Sequence, residues 1–237
     1  MTAAFTLIEL LVVITIIGIL AGIALPVFGQ VQERGQQTKS LASGKQIGLS
    51  LKLYATDNEG QFPSGNGDVT GANPNQGTAS ESNAAFRNLF PTYCSAEKLF
   101  YTPKSGWCNK TAPDERYTGN DNCLAGGENN YAYTTNLTDT SNAALPLVYD
   151  GLTSGGTTYT EDRTKPGGVW GGKKAIIIHV DDSGEVANVD QVIKAPTHTS
   201  AGGQKESIFS TNSTDGSWLS TTNKIINPTA ATAGAGN

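Results

Sequence analysis

Residues 5–28 read FTLIELLVVITIIGILAGIALPVF, and this stretch decides the architecture. Glu9 is its single charged side chain. As a helix, its 24 residues would reach about 36 Å, enough to cross the hydrocarbon core of a bilayer. The stretch is too long for the apolar region of a secretory signal peptide. Residues 1–4, MTAA, also lack the basic start such a peptide carries. Glu9 separates it from a plain anchor. A carboxylate in a membrane helix costs about 2.5–3.5 kcal/mol at mid-bilayer, less towards the ends. Residues 1–32 contain no Lys or Arg to offset that cost. The sequence asks for a counter-charge from outside the segment, and a free α-amino group on another chain would supply one.

With those residues in place, the stretch resembles the N-terminal signature of type IV pilins and of the pseudopilins of type II secretion. In that family a prepilin peptidase cuts before a Phe and methylates the new amine. A Glu stands fifth in the mature chain. The resemblance implies cleavage between Ala4 and Phe5, methylation of Phe5, and Glu9 as the assembly residue. Pro26 falls where the family has a helix-softening proline. Two departures stand out. Ala4 replaces the usual Gly, and the leader is not basic; a truncated or late-started leader would account for the second. Arg34 and Lys39 follow the segment, which by charge alone would orient it the other way. The resemblance instead implies a single pass through the bacterial inner membrane, with the N-terminus cytoplasmic before assembly. The head would be periplasmic or on an extracellular filament. The implied partners are copies of this chain and other pilin-like subunits in a helical filament, the prepilin peptidase, and an inner-membrane platform driven by a separate ATPase.

The rest of the chain is polar and sparsely charged. The 237 residues carry 16 Lys+Arg against 21 Asp+Glu, a net charge of −5. That excludes a strongly basic nucleic-acid binder, and no nucleic-acid partner is required. Charged residues at 16% and apolar residues at 37% are both low, and much of the apolar share lies in residues 5–28. With 28 Gly and 10 Pro, the remainder suits a loop-rich β head with a small core better than a large α/β enzyme.

After residue 28 the pattern turns amphipathic. Leu41, Gly44, Ile47, Gly48, Leu51 and Tyr54 share one helical face. Gly44 and Gly48 would let a neighbour approach the backbone. Gly60 supplies a left-handed cap, with Pro63 beyond it. One helix over about 6–57 is expected, loosened around residues 22–26, where Pro26 removes a donor. Residues 60–84 read as loop, 85–90 as a short helix ended by Pro91, and the Cys-bearing stretch to about 127 as irregular. Strands are expected at 131–135, 145–149 and 174–180. The last forms a hairpin with 185–189 around the Asp181–Asp182–Ser183–Gly184 turn. Beyond Pro196 only weak apolar islands remain.

The expected fold is α+β: a pilin fold, with a long N-terminal helix packed on a small antiparallel sheet with long loops. Its parts are a leader at 1–4, a membrane and filament-core half-helix at 5–28, an amphipathic half at 29–59, and a head with a polar tail at 60–237. Within the family, the stretches KLYATDNEGQFP (52–63), LPLVYDG (145–151) and KPGGVWGGKKAIIIHVDDSGEV (165–186) look most like major-pseudopilin-type proteins.

Other motifs carry less. Gly167 to Lys174 nearly matches GxxxxGK[ST]. Lys174 stands where the magnesium-binding hydroxyl should be, and the segment leads into a strand rather than a helix. Asp181, Asp182, Glu185 and Asp190 are candidate calcium ligands, weighed against a solvated acidic turn; the EF-hand pattern fails. Cys94, Cys108 and Cys123 allow one disulfide of undetermined pairing in an oxidising compartment, weighed against three buried thiols. His179 and His198 lie far from the cysteines, so no zinc site is expected. No nucleophile setting appears, so the chain is expected not to be an enzyme. Trp107, Trp170 and Trp218 read as core anchors.

Overall fold

A computed structural model describes residues 7–67, 75–109, 111–119, 122–200, 202–211 and 218–230. Helix α1 runs from Leu7 to Asp57 without interruption. The expected loosening around residues 22–26 is absent. A single missing amide donor at Pro26 leaves the flanking turns with their own bonds. The chain divides into two compact units, Met1–Lys39 and Ser40–Asn237.

In the second unit, α1 ends where the sequence places its stop. Gly60 takes φ +78°, and its amide returns to the Ala55 carbonyl at 2.8 Å. A short helix α2, Ser82–Phe86, continues as a 3-10 turn at Arg87–Leu89. It starts three residues before the expected position. A second 3-10 turn, Glu97–Leu99, lies in the Cys-bearing stretch.

Among the described residues seven strands follow: β1 (Tyr131–Thr134), β2 (Pro146–Asp150), β3 (Lys174–His179), β4 (Gly184–Asn188), β5 (Thr197–Thr199), β6 (Lys205–Ser207) and β7 (Ile225–Ile226). The main sheet is antiparallel in the order β4-β3-β2-β1-β7. The first four strands match the expected ones to within a residue. The β5–β6 hairpin forms a separate two-stranded sheet in a stretch where only weak apolar islands were expected. Strand β7, expected only as an apolar island, closes the far edge beside β1.

Both faces of the main sheet are covered. On one side Tyr131, Tyr133, Val148 and Ile178 meet Ile47, Leu51 and Tyr54 of α1. On the other, Ala132, Tyr149 and Ile177 meet Tyr159, Ile208 and Phe209 from loops. Successive side chains in a strand point to opposite faces, so an apolar run such as 175–178 serves both layers. The helix comes close because its glycines allow it. A Cβ on Gly44 would sit 3.0 Å from Ile178, and one on Gly48 would meet Ile178 at 3.1 Å and collide with Asp182. The Tyr131 hydroxyl donates to the Ser40 carbonyl at 2.8 Å, tying β1 to the helix. The C-terminal stretch straps the head: Ser82 donates to the Asn227 carbonyl at 2.9 Å, and Gly127 to that of Thr229 at 3.2 Å.

Candidate functional site

The first unit is the apolar part of α1. Leu7, Ile8, Leu10, Leu11 and the large apolar side chains through Val31 are all exposed. It is the one described helix long and apolar enough to cross a membrane. Glu9 lies in its first turn and is exposed. An acidic side chain there also complements the positive end of the helix dipole. Thr15, the other polar side chain before Gln30, is satisfied within the helix. Its hydroxyl donates to the carbonyls of Leu11 at 2.8 Å and Val12 at 2.9 Å. Gly18 and Gly22 have nothing within 4 Å of where a Cβ would stand, so both leave open, shallow surface. Ala4 and Phe5 lie outside the described residues, as does the side chain of Pro26.

An apolar helix with its surface open and one carboxylate near its start is built to be covered by something else.

Residues 1–25 match the prokaryotic N-terminal methylation motif.

That motif is the type IV pilin and pseudopilin signature, and it supports a type IV pilin-like or pseudopilin subunit. It implies processing by a prepilin peptidase and assembly into a filament with other pilin subunits. With the long apolar helix it fits a single-pass, membrane-anchored pilin. The match stops at residue 25, so the head lies outside it. No curated protein and no solved structure matches the chain significantly.

The candidate residues of the head are placed as follows. The four acids do not converge. Asp181 accepts the Ser183 amide at 2.8 Å, and the Ser183 hydroxyl together with that amide holds its carboxyl below the usual range. Asp190 accepts the amides of Val192 at 2.8 Å and Ile193 at 3.0 Å, with the same effect. Glu185 stands 3.7 Å from the His179 ring. Asp182 takes φ +67° and packs on Gly48; burial raises its carboxyl, opposed by Lys52 and Lys45. Strand β4 separates Asp190 from the turn, and local amides occupy two of the carboxylates. Calcium wants six to eight converging oxygens. Among the described residues no group of three or more His, Cys, Asp or Glu is gathered for a metal ion.

Cys94, Cys108 and Cys123 are free cysteines in the structure, Cys94 and Cys123 buried and Cys108 half-buried. Cys94 and Cys123 belong to the main apolar cluster, and Cys108 lies outside it. The Cys94 sulfur turns to the Ala96 carbonyl at 3.8 Å. Burial raises all three thiols, Cys108 to about 12, so none has the thiolate character of a reactive cysteine.

The glycine-rich stretch before β3 packs against residues 152–163, and Lys174 opens the strand. Trp107 and Trp170 are buried anchors, their indoles donating to the Leu152 carbonyl at 2.8 Å and the Asp150 carboxylate at 2.6 Å. Trp218 is half-buried and stacks on His198 of β5, with ring centres 4.1 Å apart.

Sequence reading passed over two buried carboxylates. Asp150 ends β2 and accepts from Asn130 at 2.8 Å, Trp170 at 2.6 Å and the Ile176 amide at 2.7 Å. Burial pushes it up to about 6 against those bonds. Glu97 accepts the amides of Leu124 at 2.7 Å and Arg116 at 2.9 Å, and burial pushes it to about 7. An acid closing the apolar run of β2 was the available signal for Asp150. Glu97 had none, because the amides it binds come from a distant loop. Both are joints of the fold.

Proposed function

We propose that this chain is a structural, non-enzymatic filament subunit, a pseudopilin of a type II secretion apparatus. The observation that carries the reading is Glu9, the only charge in residues 1–32, on an apolar helix whose first half is open along its surface. Before assembly the helix resides in the inner membrane, with its N-terminus cytoplasmic and its head periplasmic. After cleavage between Ala4 and Phe5, the new amine of one chain meets Glu9 of a neighbour. In apolar surroundings a carboxylate without a counter-charge is costly, so this contact selects the register in which it is made. Gly18, Ala21, Gly22 and Ala24 allow the helices to approach closely. A separate cytoplasmic ATPase, acting through a membrane platform, supplies the energy; the role needs no cofactor.

The secretion assignment rests on the resemblance of 52–63, 145–151 and 165–186 to major pseudopilins. A second reading, a major or minor pilin of a surface filament for adhesion, motility or DNA uptake, draws on the neutral Ser, Thr, Asn and Gly-rich head.

The test is the intact mass and N-terminal peptide of the protein from its host, taken from membrane and sheared-filament fractions. An N-methylated Phe5 start, confined to membranes, is the expected result. The same start abundant in the sheared fraction favours the surface pilus. An uncut chain found only in membranes overturns the assembly reading.

A further inference from the structure

Among its described residues, the stretch from 94 to 127 holds one 3-10 turn and no strand, so hydrogen bonds outside any ladder must hold it in place. Two of them draw the flanks of two cysteines to one point. The Cys94 amide donates to the Leu89 carbonyl at 2.9 Å, and the Arg87 guanidinium donates to the Cys123 carbonyl at 2.8 Å. Arg87 and Leu89 belong to the same 3-10 turn. A third bond closes the other side. Glu97, three residues after Cys94, accepts the amide of Leu124, the residue after Cys123, at 2.7 Å. Both cysteine side chains enter the main apolar cluster, at 6% and 0% exposure. They are near enough that negative charge on Cys94 would raise the Cys123 thiol. Cys108 is placed elsewhere. It lies outside that cluster and lines a cleft of about 290 Å³ with Tyr101, Lys104 and Arg163.

We propose that Cys94 and Cys123 are a redox pair, joined as a disulfide in the exported head, with Cys108 left as the free thiol. This rests on the filament reading above, which puts the head in an oxidising compartment. Two S–H bonds break and one S–S bond forms. The two electrons and two protons pass to the disulfide of a thiol–disulfide oxidoreductase, which leaves as a dithiol. Burial fixes the order of events. Thiols this buried are poor nucleophiles and out of an enzyme's reach, so exchange precedes closure of the head. Once made, the bond is sealed from solvent. Oxidation gives up one weak contact, from the Cys94 thiol to the Ala96 carbonyl. In return it closes residues 94–123 into a ring, which restricts the unfolded chain in the part of the head that has least regular structure.

The test takes the full-length chain from its host, alkylates it in denaturant without reductant, and digests it. Trypsin cuts after Lys98, Lys104, Lys110 and Arg116, so the three cysteines fall in three peptides. The expected result is the Cys94 peptide cross-linked to the Cys123 peptide, with Cys108 alkylated. Three alkylated cysteines, or a disulfide that includes Cys108, overturns the pair. The N-terminal peptide of the same digest reports on the filament reading separately. A chain cut at Phe5 with three free thiols overturns the pair and leaves the filament reading standing. An uncut chain overturns the filament reading, and the cross-linked peptide still decides the pair. In parallel, reducing the wild-type head in denaturant and refolding it under reductant should lower its Tm by about 6–12 °C against the unreduced protein. C94A, C123A and the double variant should all show the lowered Tm without reductant and no further drop with it, because the two sulfurs act as one unit. C108S should keep the full response to reduction. A wild-type Tm that ignores reduction overturns the pair.

Discussion

Along α1, residues 7–31 and residues 40–57 are both helical, yet they treat apolar surface in opposite ways. In the first stretch Leu, Ile, Val and Phe occupy every side of the helix and all stand exposed. In the second, Ile47, Leu51, Tyr54 and Ala55 are confined to one side and buried. A helix apolar all round belongs in a membrane or a bundle, whereas one with a single apolar stripe belongs on a sheet. The contrast assigns the two stretches different partners. The buried stripe of the second finds its partner within the chain, while Leu49 and Leu53 stay exposed on the other side. The first needs lipid and then other chains, and under the proposed function its one carboxylate matters only for the latter.

The sharpest way to break this comparison is Glu9→Leu. The variant should insert into membranes as well as the wild type, or better, because a charged side chain is gone. Its yield of sheared filaments should collapse. Wild-type filament yield from Glu9→Leu would show that the carboxylate plays no part in assembly.

A truncation in each stretch sharpens the same contrast. Leu51 is fully buried between α1 and the sheet, so Leu51→Ala should destabilise the head by about 2–5 kcal/mol. Leu11→Ala removes the same atoms from an exposed site and should leave the head unfolding transition in place. Thermal unfolding in detergent, followed through the head tryptophans, compares the two. A similar loss from both would mean that the first stretch contributes to the stability of the head.

A smaller effect follows from the buried carboxylates. Burial raises Asp150 from 3.8 to about 6 and Glu97 from 4.5 to about 7. The folded head therefore keeps protons that the unfolded chain has released. Where the folded state binds more protons, stability falls as pH rises. The contribution of these groups is fully present below about pH 4 and is lost as pH climbs through 6 to 7. Denaturant unfolding at pH 5 and pH 8 should show a decline that Asp150→Asn makes shallower. An unchanged slope in that variant would remove Asp150 as the source.

What was legible in the sequence follows from the same physics. The length of α1, its buried stripe, its two close-approach glycines and the strands through β4 all announce themselves by local period. The β5–β6 hairpin does not, because THT and KES carry no apolar alternation. Strand β7 is two isoleucines whose pairing with β1 spans about ninety residues, and no local pattern encodes a partner that far away. The acids from Asp181 to Asp190 looked like one group because they are neighbours in sequence. A strand then carried the last of them away from the turn. Glu9, the proposed assembly residue, was the easiest to read, since one charge in an apolar run needs no alignment to stand out.

The smallest expected effect tests how tightly the second stretch of α1 closes on the sheet. Tyr133 is fully buried against that helix layer, its ring 5.2 Å from Phe86, and its hydroxyl has no hydrogen-bond partner among the described residues. A buried hydroxyl without a partner has lost water and gained nothing in return. Tyr133→Phe keeps the ring and removes the oxygen, leaving only a gap of one atom. The variant should match the wild type within about 0.5 kcal/mol or exceed it, because the two small terms oppose. Tyr131→Phe is the control, since it deletes a hydroxyl that makes a buried hydrogen bond to the Ser40 carbonyl, itself still paired within the helix. It should cost about 0.5–1.5 kcal/mol in the same denaturant titration. If both tyrosines cost the same, the Tyr133 hydroxyl has a partner in solution and the helix–sheet layer is wetter than its apolar lining implies.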